Sequence, residues 1–264
     1  MTMAPRDKQL VARQFSRAAP SYDAAARVQQ QVLQQLLNLA SGISGHWLDI
    51  GCGTGAALPQ LARLGAGQIT GIDIAAGMLE QAAVHGTGLT GLNLLESDAD
   101  TIPLPDNCAD GIVSSLMLQW SEDTRTTLSE WRRLLKPGGR MLIATLLPGT
   151  HHEIKQAWQA IDQRPHVNEF LPQDELLAHL HALGFSDIET RTDVIRPEYR
   201  SLTELLQYLK QIGATNVNPG RREGLGGRAA LRLLAEHYPV NAAGRYPLSY
   251  DVLWLSARKP EIHL

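Results

Sequence analysis

Two cysteines in 264 residues, Cys52 and Cys108, exclude a disulfide framework and a cysteine-based metal site. No apolar run approaches the roughly 20 residues of a membrane span, and Met1 to Leu10 lacks the apolar stretch of a secretory signal. Excess positive charge is missing too, and a net charge of -3 argues against general nucleic-acid affinity. Internal repeats and low-complexity tracts are absent from the sequence. What remains is a globular composition, 44% hydrophobic with a mean hydropathy of -0.16. The length suffices for one core with a modest lid, and a cytoplasmic location is expected.

The rest of the chain is organised around Asp49-Ile50-Gly51-Cys52-Gly53-Thr54-Gly55, which follows the apolar run His46 to Ile50. An apolar run closing on an acid and three alternating glycines reads as strand, tight turn and helix, the helix spanning about Ala56 to Leu64. Glycines there permit positive φ and bring bare backbone close to a ligand. The spacing is G-x-G-x-G rather than the G-x-G-x-x-G of dinucleotide binders, which favours S-adenosylmethionine over a pyrophosphate. The alternative is an ordinary glycine-rich turn without a ligand.

Further strands are expected at Gln68 to Ile72, Leu92 to Ser97, Asp110 to Ser115 and Arg140 to Thr145, separated by helices from Ala75 to Val84 and from Glu122 to Leu134. This alternation implies a mostly parallel sheet covered on both faces. Asp73, 20 residues after Gly53, is placed to take ribose hydroxyls or to cap the following helix. Asp98, just past the third strand, suits an adenine amine, whereas Asp100 is expected to be a solvated loop charge. Trp120 sits either over the cleft or in helix packing. Pro20 is expected to split an N-terminal helical stretch in two, and Lys136-Pro137-Gly138-Gly139 to stop a helix and turn. Beyond residue 150, a sixth strand from Phe185 to Ile195 and a seventh from Tyr250 to Ala257 bracket roughly 50 residues with two helices, Leu202 to Ile212 and Gly226 to His237. So long a connection is best read as a functional lid.

Asp49 to Gly55, Asp73, Asp98-Ala99 and Leu134-Leu135-Lys136-Pro137-Gly138-Gly139 together resemble the class I S-adenosylmethionine-dependent methyltransferases. Other segments narrow the likeness: Phe15 to Asp23, Ala157 to Asp162, Arg164 to His166, Asn168, Phe170 to Pro172, Leu209 to Asn216 and Gly244 to Tyr250. With these the chain resembles the malonyl-acyl-carrier-protein O-methyltransferases of biotin synthesis, the BioC family, nearly end to end. The resemblance implies a Rossmann-like α/β fold, a seven-stranded sheet with a helical lid insertion, in one domain. Residues 1–40 would be helices over the cleft, 45–150 the cofactor core, 151–184 and 197–246 the substrate side and lid, and 247–264 the last strand. It implies Asp49, Gly51, Gly53, Asp73, Ile74, Met78, Asp98, Ala99 and Leu116 as cofactor contacts, and Tyr22, Trp120, Phe170, Lys210, Arg221 and Tyr250 on the substrate side. No metal is implied. The substrate would be a malonyl group on acyl carrier protein, methylated at its free carboxyl, and S-adenosylhomocysteine the by-product; a methyltransferase of another small carboxylate or ring is the alternative.

A malonyl half-thioester is ionised at pH 7, like other free carboxyls with pKa near about 4, so its oxygen needs no general base. His151, His152 and His166 are accordingly read as structural. Lys210 and Arg221 are candidate cations for the carboxylate, unless they form a solvated pair; Tyr22 and Tyr250 are candidate donors or core aromatics. Between Thr190 and Arg232 lie eight basic and four acidic residues, an excess of four positive charges in a chain of net -3. That suits docking of an acidic carrier protein at Arg222, Arg228 and Arg232. Neither a nucleic acid nor a membrane is expected as partner.

Overall fold

The computed structural model describes residues 7–162, 164, 166–214 and 227–261, the side chains of 227–229 excepted. Its framework is a sheet whose first three strands, β1 (His46–Ile50), β2 (Gln68–Asp73) and β3 (Leu92–Glu96), pair in parallel. On the other side of β1 come β4 (Ala109–Ser115) and β5 (Leu135–Leu146), also parallel. Two later strands finish it: β6 (Ser186–Ile195) at the edge and β9 (Tyr250–Arg258), inserted antiparallel between β5 and β6. The order β3-β2-β1-β4-β5-β9-β6 reverses direction of winding at β1, which opens a crevice at the carboxyl ends of β1 and β4.

Alternation along the strands divides the core. In β9, Val252 and Trp254 face one hydrophobic cluster while Leu253, Leu255 and Ala257 face the other. The first cluster takes in α2 (Arg27–Leu37), α3 (Leu58–Leu64), α6 (His152–Gln159), α8 (Leu202–Gln211) and α9 (Gly227–His237). The second takes in α5 (Thr124–Leu134) and α7 (Gln173–Ala182). The Trp254 indole N–H donates to the Val32 carbonyl at 2.9 Å, tying α2 to the sheet without leaving a buried donor unpaired.

Two expectations are corrected. Pro20 does not break the N-terminal helix: α1 runs from Lys8 to Ala25, capped by the Asp7 carboxylate on the Leu10 N–H, and the break falls at Ala26. Proline removes the N–H that would bond the Ser16 carbonyl. That carbonyl lies against Gly77 of α4 (Ala76–His85), only 2.9 Å from where a Gly77 Cβ would stand, and the Gly77 N–H meets Ser16 Oγ at 3.3 Å. Packing of α1 on α4 thus sustains a helix that local propensity disfavours. Nor is Lys136 to Gly139 outside the sheet: β5 begins at Leu135, and these residues take up a register shift between Ala109 and Gly111. The connection from β6 to β9 contains the two expected helices, α8 and α9, and also a short ribbon of β7 (Glu198–Tyr199) and β8 (Tyr246–Pro247) that the sequence did not reveal.

Gly77→Ala is expected to lift α1 from α4, because the added methyl meets backbone that cannot swing away. Overpacking of this kind costs about 1–3 kcal/mol. Amides of α1 should exchange faster while those of β1 and β4 stay protected; unchanged exchange in α1 would show that the contact tolerates a methyl.

Candidate active site

At the crevice the three motif glycines take positive φ, 74° at Gly51, 53° at Gly53 and 85° at Gly55, which side-chain-bearing residues rarely adopt. A Cβ on Gly51 would run into the Met117 side chain, whereas the space beside Gly53 is open. The loop therefore presents bare backbone to a cleft of about 800 Å³, its open mouth included. Asp73 closes β2 beneath it. Its two oxygens accept from the N–H groups of Gly53 and Ala75, each at 2.9 Å. Asp73 is not the N-cap of α4, a place taken by Ala75 without a side-chain cap; it braces the turn through Gly53 and Ala75, and it lines the cleft with acceptor sites to spare.

Ile74, Met78, Asp98, Ala99, Leu116 and Trp120 line the same cleft. Leu116 has φ 56°, an uncommon conformation held by its N–H bonding the Ala144 carbonyl at 2.8 Å. Asp49 is not on the wall. It is buried behind the loop, with Oδ2 unpartnered among the described residues. Burial, assisted by the nearby Asp73 charge, pushes its pKa up to about 7. Burial also raises Asp73, against the pull of N–H groups from Ala75, Gly53 and Ile74.

The roof is α1, which supplies Lys8, Val11, Phe15 and Tyr22. Phe15 meets Trp120 edge-on at 5.2 Å, so Trp120 both packs a helix and faces the cleft. The far end of α1 is latched to the glycine loop, since Thr54 Oγ1 donates to Asp23 at 2.6 Å. Its near end is latched by Lys8, whose ammonium bonds Asp98 at 2.6 Å and Asp100 at 2.5 Å. Burial works against that charge, but the two carboxylates keep the Lys8 pKa above its ordinary value. Asp100 is therefore no solvated loop charge, as it also accepts from the Thr127 hydroxyl. Nothing in the Lys8 region of the sequence signals this, because the partners are 90 and 92 residues away.

Of the remaining substrate-side candidates, Tyr250, Phe170 and Lys210 do not line the cleft. Tyr250 is buried behind it and donates to Tyr208 at 3.2 Å. Phe170 is half-buried against the first core cluster. Lys210 is exposed in the last turn of α8. Arg221 and Arg222 lie outside the described residues, and of Arg228 only the place in α9 is described. Arg232 is exposed and pairs with Glu236 at 3.0 Å. His151 is buried with its pKa lowered to about 3 by desolvation, and His166 stacks on Trp158 at 3.8 Å and bonds Asp162 at 2.7 Å. His152 bonds the Gly149 carbonyl at 3.1 Å.

A sulfonium donor with an amino-acid end suits this cradle. Three carboxylates, Asp73, Asp98 and Asp100, line the cleft against one ammonium, Lys8, so the wall keeps a net negative charge that favours a cation and disfavours a pyrophosphate. The buried, unpartnered Asp49 oxygen is a ready acceptor for a cationic group.

Comparison with known proteins agrees. A model of the methyltransferase domain matches residues 48–143. The malonyl-acyl-carrier-protein O-methyltransferase of Yersinia pestis is 39% identical over 250 residues, covering 94% of this chain and 90% of that protein. The chain belongs to the malonyl-acyl-carrier-protein O-methyltransferase family. Within the family's wider circle, the biotin biosynthesis bifunctional protein BioHC of Teredinibacter turnerae is 35% identical over 96% of this chain, which spans 47% of that longer protein. The YcgJ protein of Bacillus subtilis has the same fold, with a TM-score of 0.66 at 17% identity, covering 88% of this chain and 99% of that one. This family member is an S-adenosylmethionine-dependent methyltransferase with the Rossmann-like class I architecture. No helix among the described residues is long and apolar enough to cross a membrane.

Proposed function

We propose that this chain methylates the free carboxyl of malonyl-acyl carrier protein in the cytoplasm, an early step of biotin synthesis, releasing S-adenosylhomocysteine. The observation that carries this reading is the 39% identity to a malonyl-acyl-carrier-protein O-methyltransferase across 94% of the chain. Bound in the cleft, the donor supplies an electrophilic methyl group. Gly51, Gly53, Asp73, Ile74, Met78, Asp98, Ala99 and Leu116 would hold it, with Asp49 behind the loop. The substrate carboxylate is ionised already, so the protein needs to align it and exclude water rather than remove a proton. Roofing by Phe15, Trp120 and Tyr22 serves both ends.

Docking of the acidic carrier is assigned to the basic lid, at Arg222, Arg228 and Arg232. The test is methyl transfer to malonyl-carrier and to malonyl-coenzyme A side by side, in wild type and in the triple charge-reversed variant. Reversal should raise KM for the carrier substrate and leave the coenzyme A thioester nearly unchanged. The wild-type preference should shrink as salt rises, because rim charges act over a Debye length of ~8 Å at physiological ionic strength. No transfer to either substrate would sink the reading in favour of another small carboxylate or ring; equal losses on both would remove the docking role.

A further inference from the structure

We propose that the acyl carboxylate is received by neutral hydroxyl groups, Tyr22, Tyr208 and Tyr250, with Tyr208 the residue that aligns it; this rests on the carboxyl-methylation reading above. Tyr208 was not singled out by any motif. It stands on the buried face of α8, between Tyr250 of β9, whose hydroxyl donates to it at 3.2 Å, and Gln29 of α2, whose amide reaches it at 3.5 Å. Tyr22 of α1 lines the donor cleft beside Asp73 and packs on the core cluster that holds Tyr208 and Tyr250. Tyr22 lies within electrostatic reach of both Tyr208 and Tyr250, with α1 packed on α8, so the three phenols run from the cleft wall into the interior. His151 stands edge-on to Tyr250 at 4.7 Å, and its Nε2 is buried with no partner among the described residues. A buried polar atom left unpaired is costly, and beside a hydroxyl cluster it marks a place for a polar guest.

Charge explains why phenols suit the task. The cation on the cleft wall, Lys8, is held by Asp98 and Asp100, and Lys210 is exposed at the end of α8. As the carboxylate becomes an ester its negative charge disappears. A cation bonded to it would stabilise the reactant more than the transition state and raise the barrier. Neutral donors fix direction with less of that penalty. Burial holds the Tyr22, Tyr208 and Tyr250 phenols protonated well past neutral pH, so each remains a donor.

The experiment compares Tyr208→Phe and Tyr250→Phe with wild type on malonyl-carrier, alongside donor affinity, thermal midpoint, and inhibition by malonyl-pantetheine against its neutral malonamyl analogue. Tyr208→Phe should lose about tenfold to a hundredfold in kcat/KM, as expected for one hydrogen bond to a charged group. Donor affinity and midpoint should stay near wild type, and the preference for the charged inhibitor should vanish. Tyr250→Phe should show the same pattern more weakly, and it serves if Tyr208→Phe does not fold. Wild-type kcat/KM and preference in both variants, or loss of the preference in Lys210→Ala instead, would overturn the hydroxyl cluster while leaving carboxyl methylation standing. A wild-type enzyme inactive on malonyl-carrier would remove the underlying reading, and the proposal with it.

Discussion

Asp73→Ala is expected to weaken donor binding at least about tenfold and also to lower the thermal midpoint of the free protein. The first effect follows from losing charge-assisted bonds to the ligand, worth ~1.5–3 kcal/mol each. The second follows from the hydrogen bonds that Asp73 makes in the free protein. Asp73 Oδ2 accepts the Gly53 N–H and Oδ1 the Ala75 N–H, so the side chain ties the glycine loop to the start of α4. Alanine leaves two N–H groups without their acceptor, and even ~1–2 kcal/mol would shift the midpoint of a domain this size by several degrees. Asp73→Asn keeps one oxygen and should fall between. Calorimetric titration with S-adenosylmethionine and a melt without it separate the two effects. A variant that binds normally but melts early would make Asp73 a brace alone, and the ribose role would be lost.

The second large effect is a pH dependence centred on Asp49. Burial and the Asp73 charge lift its folded pKa to about 7, against about 3.9 for an unperturbed aspartate. Below pH ~4 both folded and unfolded states are protonated there, and the group contributes no difference. Between pH ~4 and ~7 the unfolded chain has released the proton while the folded one keeps it. Stability of the free protein therefore falls as pH rises through that window, by up to ~4 kcal/mol from this group, and levels off above it. Asp49→Asn should be flatter across the window and more stable than wild type near pH 8. A cationic donor favours the ionised carboxylate, so donor binding should tighten with rising pH and release a proton. Titrations in buffers of different ionisation enthalpy would count that proton. Binding with no proton release between pH 6 and 7, or an Asp49→Asn profile that parallels wild type, would show that Asp49 is ionised in the free protein.

Much of the donor cradle can be read along the chain. Gly51, Gly53 and Gly55 occupy positions whose φ favours glycine, and Asp73 closes the next strand at the distance that parallel pairing of β1 with β2 demands. Such a strand–turn–helix unit is local, so its chemistry is written in consecutive residues. That the sheet is mostly parallel likewise follows from the alternation of strands with helices, whereas the order β3-β2-β1-β4-β5 is decided by the tertiary structure. Other features come only from packing. Pro20 stays helical because α4 supports α1 where a backbone bond is missing. Asp100 is bonded rather than solvated because the α1 fold-back delivers Lys8 to it. Tyr208 meets Tyr250 because β9 returns between β5 and β6 while α8 lies across that face. By itself the sequence determined the glycine loop, the alternating core and the family likeness, since each depends on residue type at fixed local spacing. Tertiary structure alone decided which charges are neutralised and which hydroxyls converge, since partners tens to hundreds of residues apart leave no period or motif in the chain, and burial then sets how strongly they interact.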